Sequence, residues 1–397
     1  MPVNVLNQFK TLKVRQQFLL LILLSAAIPA SVVGILGTIS ASTALSDKAT
    51  GLVERETEES VQEIDAFLSS IDQDVVVLSQ APSVQGIIRA RDNKGTDPTT
   101  EFSYDDWMSQ LKLNFSVMLQ EKEFNRLEYI DETGKTLVVV ETDDHGNSEE
   151  EEEGEEGASS ELPNEGEVDD NDDELEGEEA IEKSINILPI DKIENQADSS
   201  YFVKAMELSP GELYASPITL RRENGAITEP YEPVIQYATP VVNEAGQKRG
   251  IIVATVFTNE FLDELNEEEG QFEGEATTLV NVDGYYLAHP DPEKRWGFEF
   301  GKETTLAKEI SADVAEQILS GGTDTIELDT YVVAYETLSL GPDPSSNLIA
   351  VTKVPVEKIL EPVNLFKRSA ALAVLVSLGI VLPLAIFRGR QLINLRA

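Results

Sequence analysis

The chain has no cysteine, so neither a disulfide nor a thiolate-ligated metal can hold it together, and its cohesion must come from packed apolar cores. It has two histidines, His145 and His289, too few for a three-histidine zinc centre. Basic residues are scarce. Thirty Lys and Arg stand against 73 Asp and Glu, a formal net charge of −43. A surface so negative repels phosphate backbones and excludes nucleic acid as a partner. The common catalytic motifs are missing as well: no phosphate-binding loop, no dinucleotide glycine pattern, no Gly-Xaa-Ser-Xaa-Gly elbow and no His-Glu-Xaa-Xaa-His. Ser216, His289 and an aspartate could be combined into a triad on paper, but Ser216 and His289 fall in different modules. The chain is therefore expected not to be an enzyme, and no cofactor or metal is expected.

Charge is also missing locally, in two long runs. Residues 1–15 carry Lys10, Lys13 and Arg15, and from Gln16 to Ser46 no residue is charged. Phe18 to Ser40 is long enough to span a bilayer, and it outruns the apolar core of a signal peptide despite the small residues Ala41-Ser42-Thr43-Ala44. A second uncharged run, Ser369 to Phe387, lies between Lys367-Arg368 and Arg388. The basic flank before the first run sets the N-terminus in the cytoplasm. The expected order is a cytoplasmic N-terminus (1–15), a transmembrane helix (16–40), an external region, a second transmembrane helix (367–387) and a cytoplasmic stub (388–397). After Ala41 the pattern turns helical, and Ile64, Leu68, Ile71, Val75 and Leu78 step by 4, 3, 4, 3. This predicts a stalk helix over 41–80 that packs along its own domain, pairs with a second subunit as a homodimer, or does both.

What is abundant is acid, and it is concentrated. Of the forty residues 143–182, 21 are Asp or Glu and none is Lys or Arg. Such a segment cannot bury enough apolar surface to order itself and is expected to be a disordered, solvated insertion. Asp169, Asn171 and Asp173 imitate the start of a calcium loop, but Glu174 stands where that loop turns on glycine, so loose accumulation of counter-ions is the expected behaviour.

Between these features lie the signals of a folded domain. Trp107, Leu111 and Phe115 stack at i, i+4 and i+8 and read as core. Phe124 to Val140 is strand, Asp131–Gly134 turn, strand. Tyr201 to Phe257 reads as a short helix, strands around 213–217 and 234–238, a turn at Asn243–Gly246 and a buried strand from Ile251 to Phe257. Phe261, Leu262 and Leu265 start a connector helix, and Leu306 to Leu319 reads as one amphipathic helix ended by Gly321-Gly322. Asn281–Tyr285 repeats the earlier turn, and Tyr331–Val354 repeats the strand, glycine loop, strand pattern of Val234–Phe257. One module therefore occurs twice, as a weak internal repeat.

The run GELYASPITLRRENGAITEPYEPVIQYATPVVNEAGQKRGIIVATVF resembles the membrane-distal module of a double Cache domain, a pair of PAS-like modules found as the outer sensor of bacterial transmembrane receptors. VDGYYLAHPDPEKRWGFEFG, residues 282–301, resembles the membrane-proximal module. The resemblance covers roughly residues 70 to 360. It implies an α+β fold in which a long N-terminal stalk helix is followed by two antiparallel-sheet Cache modules, at 81–265 and 266–366, between the two transmembrane helices. It also implies a multi-pass protein of the inner membrane with its sensor in the periplasm. That sensor would bind a small molecule and pass a conformational change across the membrane to an output domain or a separate cytoplasmic partner. A histidine kinase is the first expectation for the output, with a chemotaxis receptor or a diguanylate cyclase behind it, and Gln391–Leu395 resembles the start of a HAMP linker. The competing class is a membrane-tethered acidic envelope protein without a signalling role.

The resemblance points to the distal sheet for ligand binding. Strand alternation puts Tyr214 and Ser216 on one face, and the resemblance adds Gln236, Glu128 and Arg222. Relatives with the Tyr-Xaa-Ser-Pro pattern often carry Arg where this chain has Glu128 and Gln236. The loss of two cations disfavours an anionic ligand and leaves neutral or cationic solutes. His289, in Ala288-His289-Pro290-Asp291-Pro292, reads as a hydrogen-bonded turn residue.

Overall fold

A computed structural model describes residues 14–142 and 183–369, apart from 224, 268, 269 and 271, with scattered helical positions beyond 369. The acidic run 143–182, both termini, His145 and most of the expected span 367–387 lie outside the described residues. Helix α1 is continuous over Val14–Ser79, and the expected span at 16–40 falls in its first part. Among the described residues no helix is long and apolar enough to cross a membrane. Ile64, Leu68, Ile71, Val75 and Leu78 are all buried and belong to the main core, so the heptad seam is turned onto the chain's own sheets.

Two helices cover the start of the first module, α2 (Pro82–Asp92) and α3 (Tyr104–Glu121). Ser103 and Asp106 form a capping box that starts α3. Trp107 then lies so tightly on Gly86 that a β-carbon there would come within 2.2 Å of the indole. The loop between α2 and α3 closes on Asp97, whose carboxylate is fully buried and takes Arg89 Nε (3.1 Å) and Nη2 (2.9 Å), the Thr99 hydroxyl (2.7 Å) and Trp107 Nε1 (3.1 Å).

The chain then builds strands β1 (Phe124–Asp131), β2 (Thr136–Thr142) and β3 (Ile185–Ile187), helix α4 (Ser200–Glu207), and strands β4 (Tyr214–Ala215), β5 (Thr219–Leu220), β6 (Arg222–Glu223), β7 (Ala226–Ile227), β8 (Pro233–Val242) and β9 (Lys248–Phe257). Helix α5 (Asn259–Glu267) leads into β10 (Ala276–Asn281) and β11 (Tyr286–Ala288). Helices α6 (Gly297–Phe300), α7 (Leu306–Glu309) and α8 (Ala312–Leu319) follow, then β12 (Thr323–Glu327), β13 (Tyr331–Leu338), β14 (Leu348–Pro355) and α9 (Val356–Ile359). The single helix expected over 306–319 is in fact two. Ser311 leaves the helical path and caps α8, its Oγ accepting from Val314 N at 3.4 Å, because serine satisfies orphan N–H groups better than it continues a helix.

The fold is the expected mixture of a long N-terminal helix with antiparallel sheets. The first sheet runs β3-β2-β1-β9-β8-β4, with β5 also paired to β8, and the second runs β11-β10-β14-β13-β12. The order β2-β1-β9-β8 matches β11-β10-β14-β13, which is the repeat read from the sequence. Helix α1 lies against one face of both sheets. Its Val61 to Leu78 stretch joins the larger core, while Val53 packs with Val332, Ala334 and Val354. Thr57 Oγ1 donates to Thr352 Oγ1 at 2.8 Å in the second module.

Candidate functional site

The other face of the first sheet, turned away from α1, holds a cleft of about 780 Å³. Cross-strand register builds its floor. Directly paired residues of antiparallel strands share a face, so Glu141, Arg126, Thr255 and Gln236 form one row across β2, β1, β9 and β8. The row extends to Ser216, whose N donates to Gln236 O at 2.9 Å and whose Oγ accepts from Gln236 N at 3.0 Å. The next row is Val139, Glu128, Val253, Ala238 and Tyr214. Four of the five residues singled out from the sequence thus stand in two adjacent rows of one sheet face.

They do not all reach the cleft. Glu128, Gln236 and Arg222 line it. Tyr214 is 4% exposed and packs with Phe202, Ala205, Ile251 and Val253 under α4. Ser216 ties the 217–232 loop to β8, donating its hydroxyl to Pro217 O at 3.0 Å. The walls are Leu188, Pro189, Ile193, Gln196 and Tyr201 on one side and Thr219 to Glu223 on the other. Tyr201 donates to Gln196 Oε1 at 2.8 Å, and burial, with Glu128 nearby, pushes its phenol up to about 12, so it remains a donor.

Sequence reasoning missed Arg126. Its neighbours in sequence, Asn125 and Leu127, give no hint that it faces a ligand-sized cleft; only the alternation that selected Glu128 could have pointed to it. Arg126 Nε donates to Glu128 at 2.7 Å and Nη1 to Glu141 at 2.9 Å. Burial alone would lower its pKa, but the two carboxylates outweigh that and raise it. Arg221 pairs with Glu223 (2.9 Å) and with the buried Glu232 (3.0 Å). Arg222 pairs with Glu299 on α6 of the second module, and Glu299 also takes Leu220 N at 3.1 Å. Each cleft arginine therefore already holds a carboxylate. An anionic ligand would have to break an ion pair, whereas an ammonium or amide group can use the remaining lone pairs of Glu128 and Glu141.

The cleft's outer wall is also the junction of the two modules. Beside Arg222–Glu299, the Tyr231 and Phe300 rings pack with centroids 5.2 Å apart, and Lys204 on α4 bonds Asp343 at 2.7 Å. Among the described residues, no group of three or more histidine and carboxylate side chains is placed to hold a metal ion.

Residues 179–312 match the family model of the bacterial histidine kinase sensor domain. The described part of this match includes both walls of the cleft and the connection into the second module. Among solved structures, the chain is similar to the extracellular domain of vpHK1S-Z8, a protein described as a histidine kinase. The identity is 14% and the TM-score 0.53, over 81% of this chain and 95% of that one. It is also similar to a domain of a protein from Vibrio parahaemolyticus described as belonging to the sensory box/GGDEF family. Here the identity is 14% and the TM-score 0.54, over 80% of this chain and 98% of that one. At these identities the likeness is one of fold alone. No curated protein matches the sequence.

Proposed function

We propose that this chain is the sensing part of an inner-membrane receptor, and that the cleft on its first sheet binds a small polar solute that is neutral or positively charged. The observation that carries this reading is the cleft itself: ligand-sized, walled by Tyr201 and the 219–223 segment, and floored by Arg126, Glu128 and Gln236 with every arginine already paired. Closure of the 217–232 loop on a ligand would move Arg222 and Tyr231, and through Glu299 and Phe300 the second module. Strand β14 and α9 would carry that movement to the C-terminal uncharged run, and α1 would carry it to the N-terminal one. In this reading the chain senses rather than catalyses, works as a homodimer with its modules outside the membrane, and passes its signal to a histidine kinase. The match of residues 179–312 to a histidine kinase sensor model supports the choice of a kinase output. A diguanylate cyclase output is the second reading, favoured by the similarity to a GGDEF-family protein.

The test is a thermal-shift screen of the full chain against amines, amides, amino acids, sugars and organic acids, followed by calorimetry. The expected result is a hit among cationic or neutral solutes whose affinity falls when Gln236 is changed. A hit confined to dianionic acids, or one indifferent to every cleft substitution, would refute the reading.

A further inference from the structure

The second module has its own cavity on the corresponding sheet face. It measures about 210 Å³ and lies between the sheet and helix α7. Ala276, Thr278, Val333 and Val351 form its floor, and Leu306 and Ile310 cover it. Its lining is apolar except at one end, where polar groups gather around a single side chain, Glu309. One carboxylate oxygen, Oε2, accepts from Tyr286 Oη (3.2 Å), His289 Nε2 (3.2 Å) and Lys294 Nζ (2.8 Å). The other, Oε1, accepts from Lys353 Nζ.

Two of the donors, His289 and Lys353, are also held by groups other than Glu309. His289 Nδ1 accepts the Asp291 N–H at 2.8 Å, which leaves the ring proton of a neutral imidazole on Nε2, directed at Glu309. Lys353 lies over the Tyr331 ring, 5.2 Å from its centroid. Burial holds the Tyr286 phenol protonated, and its contact with Glu309 adds to this, so its O–H donates to the carboxylate. The bonds from His289, Lys294 and Lys353 hold Glu309 well below the usual carboxylate range. In a chain with 30 basic against 73 acidic residues, two lysines, an imidazole N–H and a phenol turned to one point at the mouth of an apolar cavity make an anion-binding arrangement, here filled by the protein's own carboxylate. Glu309 comes from the last position of a four-residue helix, and its side chain is 22% exposed, so it can turn out to water.

We infer that this cavity is a second ligand site, and that it takes a short aliphatic monocarboxylate. The carboxylate would replace Glu309 on Lys294, Lys353, His289 and Tyr286, with its alkyl tail against Val333, Val351, Leu306 and Ile310. A carboxylate fits because a carboxylate already satisfies these four donors. A phosphate or dicarboxylate does not, because the rest of the cavity offers apolar walls. Glu309 acts as a tethered competitor. Its displacement frees α7 from Lys353 on β14, the strand that runs directly into α9.

The probe is sodium propionate, titrated calorimetrically into the full chain against sodium chloride of equal ionic strength, with propionamide as the neutral analogue. Glu309→Ala should bind propionate at least tenfold more tightly than wild type, because the competitor is gone. Adding Lys353→Met should remove at least tenfold of that affinity. Propionamide should bind at least tenfold more weakly than propionate to Glu309→Ala, and Gln236→Ala should leave propionate affinity within twofold. Glu309→Gln, which keeps the side chain's shape, guards against misfolding and should tighten binding at least threefold, with circular dichroism confirming the fold of each variant. No heat from propionate in folded Glu309→Ala and Glu309→Gln overturns the inference. So does affinity that Lys353→Met leaves unchanged, or affinity that Gln236→Ala abolishes.

Discussion

The two modules share a strand order, yet they leave very different spaces on the face turned away from α1. In the first module the chain spends residues 183–232 on walls around that face, and the space is about 780 Å³. In the second, two short helices lie directly on the sheet and the space is about 210 Å³, with Glu309 across its mouth. The sheet therefore sets where a pocket can be, and the covering segments set how large and how charged it is. Charge is handled in opposite ways as well. The first cleft holds arginines neutralised by a surplus of glutamates, while the second gathers two lysines, a phenol and an imidazole around one glutamate.

The largest expected effect tests whether the modules unfold separately. Asp97→Ala removes a fully buried carboxylate and strands the Arg89 guanidinium, a loss of about 3–5 kcal/mol. The Arg89 bonds hold Asp97 well below the usual carboxylate range. Its folded pKa is depressed, so its contribution is present above about pH 4 and is lost as the pH falls further. The gap between wild type and variant should narrow below that pH. Because α1 and the main core run through both modules, thermal denaturation of the variant should show one lowered transition. Two transitions, with only one lowered, would mean that the modules are independent.

Next comes ligand affinity in the first cleft. Gln236→Ala and Ser216→Ala should each weaken the solute found by screening by roughly 5- to 150-fold, the equivalent of about 1–3 kcal/mol. Gln236 would act by direct contact, Ser216 by releasing the loop it ties to β8. His289→Ala in the second module should leave that affinity within twofold. The reverse pattern would exchange the roles of the two modules.

Much of this comparison is legible in the chain. Period-two alternation puts Tyr214 and Ser216 on one face, and the resemblance to the distal Cache module is what sets Gln236 and Glu128 beside them. Apolar periodicity likewise marks Ile64 to Leu78 as a buried seam, and the structure turns that seam onto the chain's own core. What alternation cannot say is which residues of a face end up beneath a helix. Tyr214 is covered by α4, a packing that depends on Phe202 and Ala205 some ten residues away in sequence. Arg126 and Glu309 escaped notice for a related reason, since their partners Glu141, His289, Lys294 and Lys353 lie 15 to 44 residues off. The break at Ser311 was hidden because the apolar spacing of 306–319 continues unbroken through it.

A smaller effect separates the two faces of the first sheet. Asp72 on α1 is turned toward that sheet, and its Oδ1 is buried without a hydrogen-bond partner. Burial, with Asp65 nearby, pushes its carboxyl up to about 6. A folded pKa raised above the unfolded value near 3.9 means that the fold disfavours the ionised form, so stability declines as the pH rises from about 4 through 6. Asp72→Asn should therefore stabilise the protein at pH 8 by about 1–2 kcal/mol, allowing for its partial exposure, and make little difference at pH 4. A melting-temperature series across that range decides it, and a variant less stable at pH 8 would show that the ionised Asp72 is favourably held.

The smallest effect bears on how the modules communicate. Arg222 is about half exposed, but the Glu299 carboxylate it meets is 5% exposed and keeps the Leu220 N–H when Arg222 is lost. Arg222→Ala should then cost about 1 kcal/mol or less in stability, the scale of a surface ion pair. The informative quantity is the coupling. If the 217–232 loop carries ligand binding to α6, the thermal stabilisation by a saturating cleft ligand should depend on Glu299 in wild type and become independent of it once Arg222 is alanine. A double-mutant cycle of Arg222→Ala and Glu299→Gln, measured with and without ligand, reads this directly. A coupling energy that is the same in both states would leave the bridge as a static strut between the modules. One that grows on binding would make it the path by which the open cleft acts on the closed one.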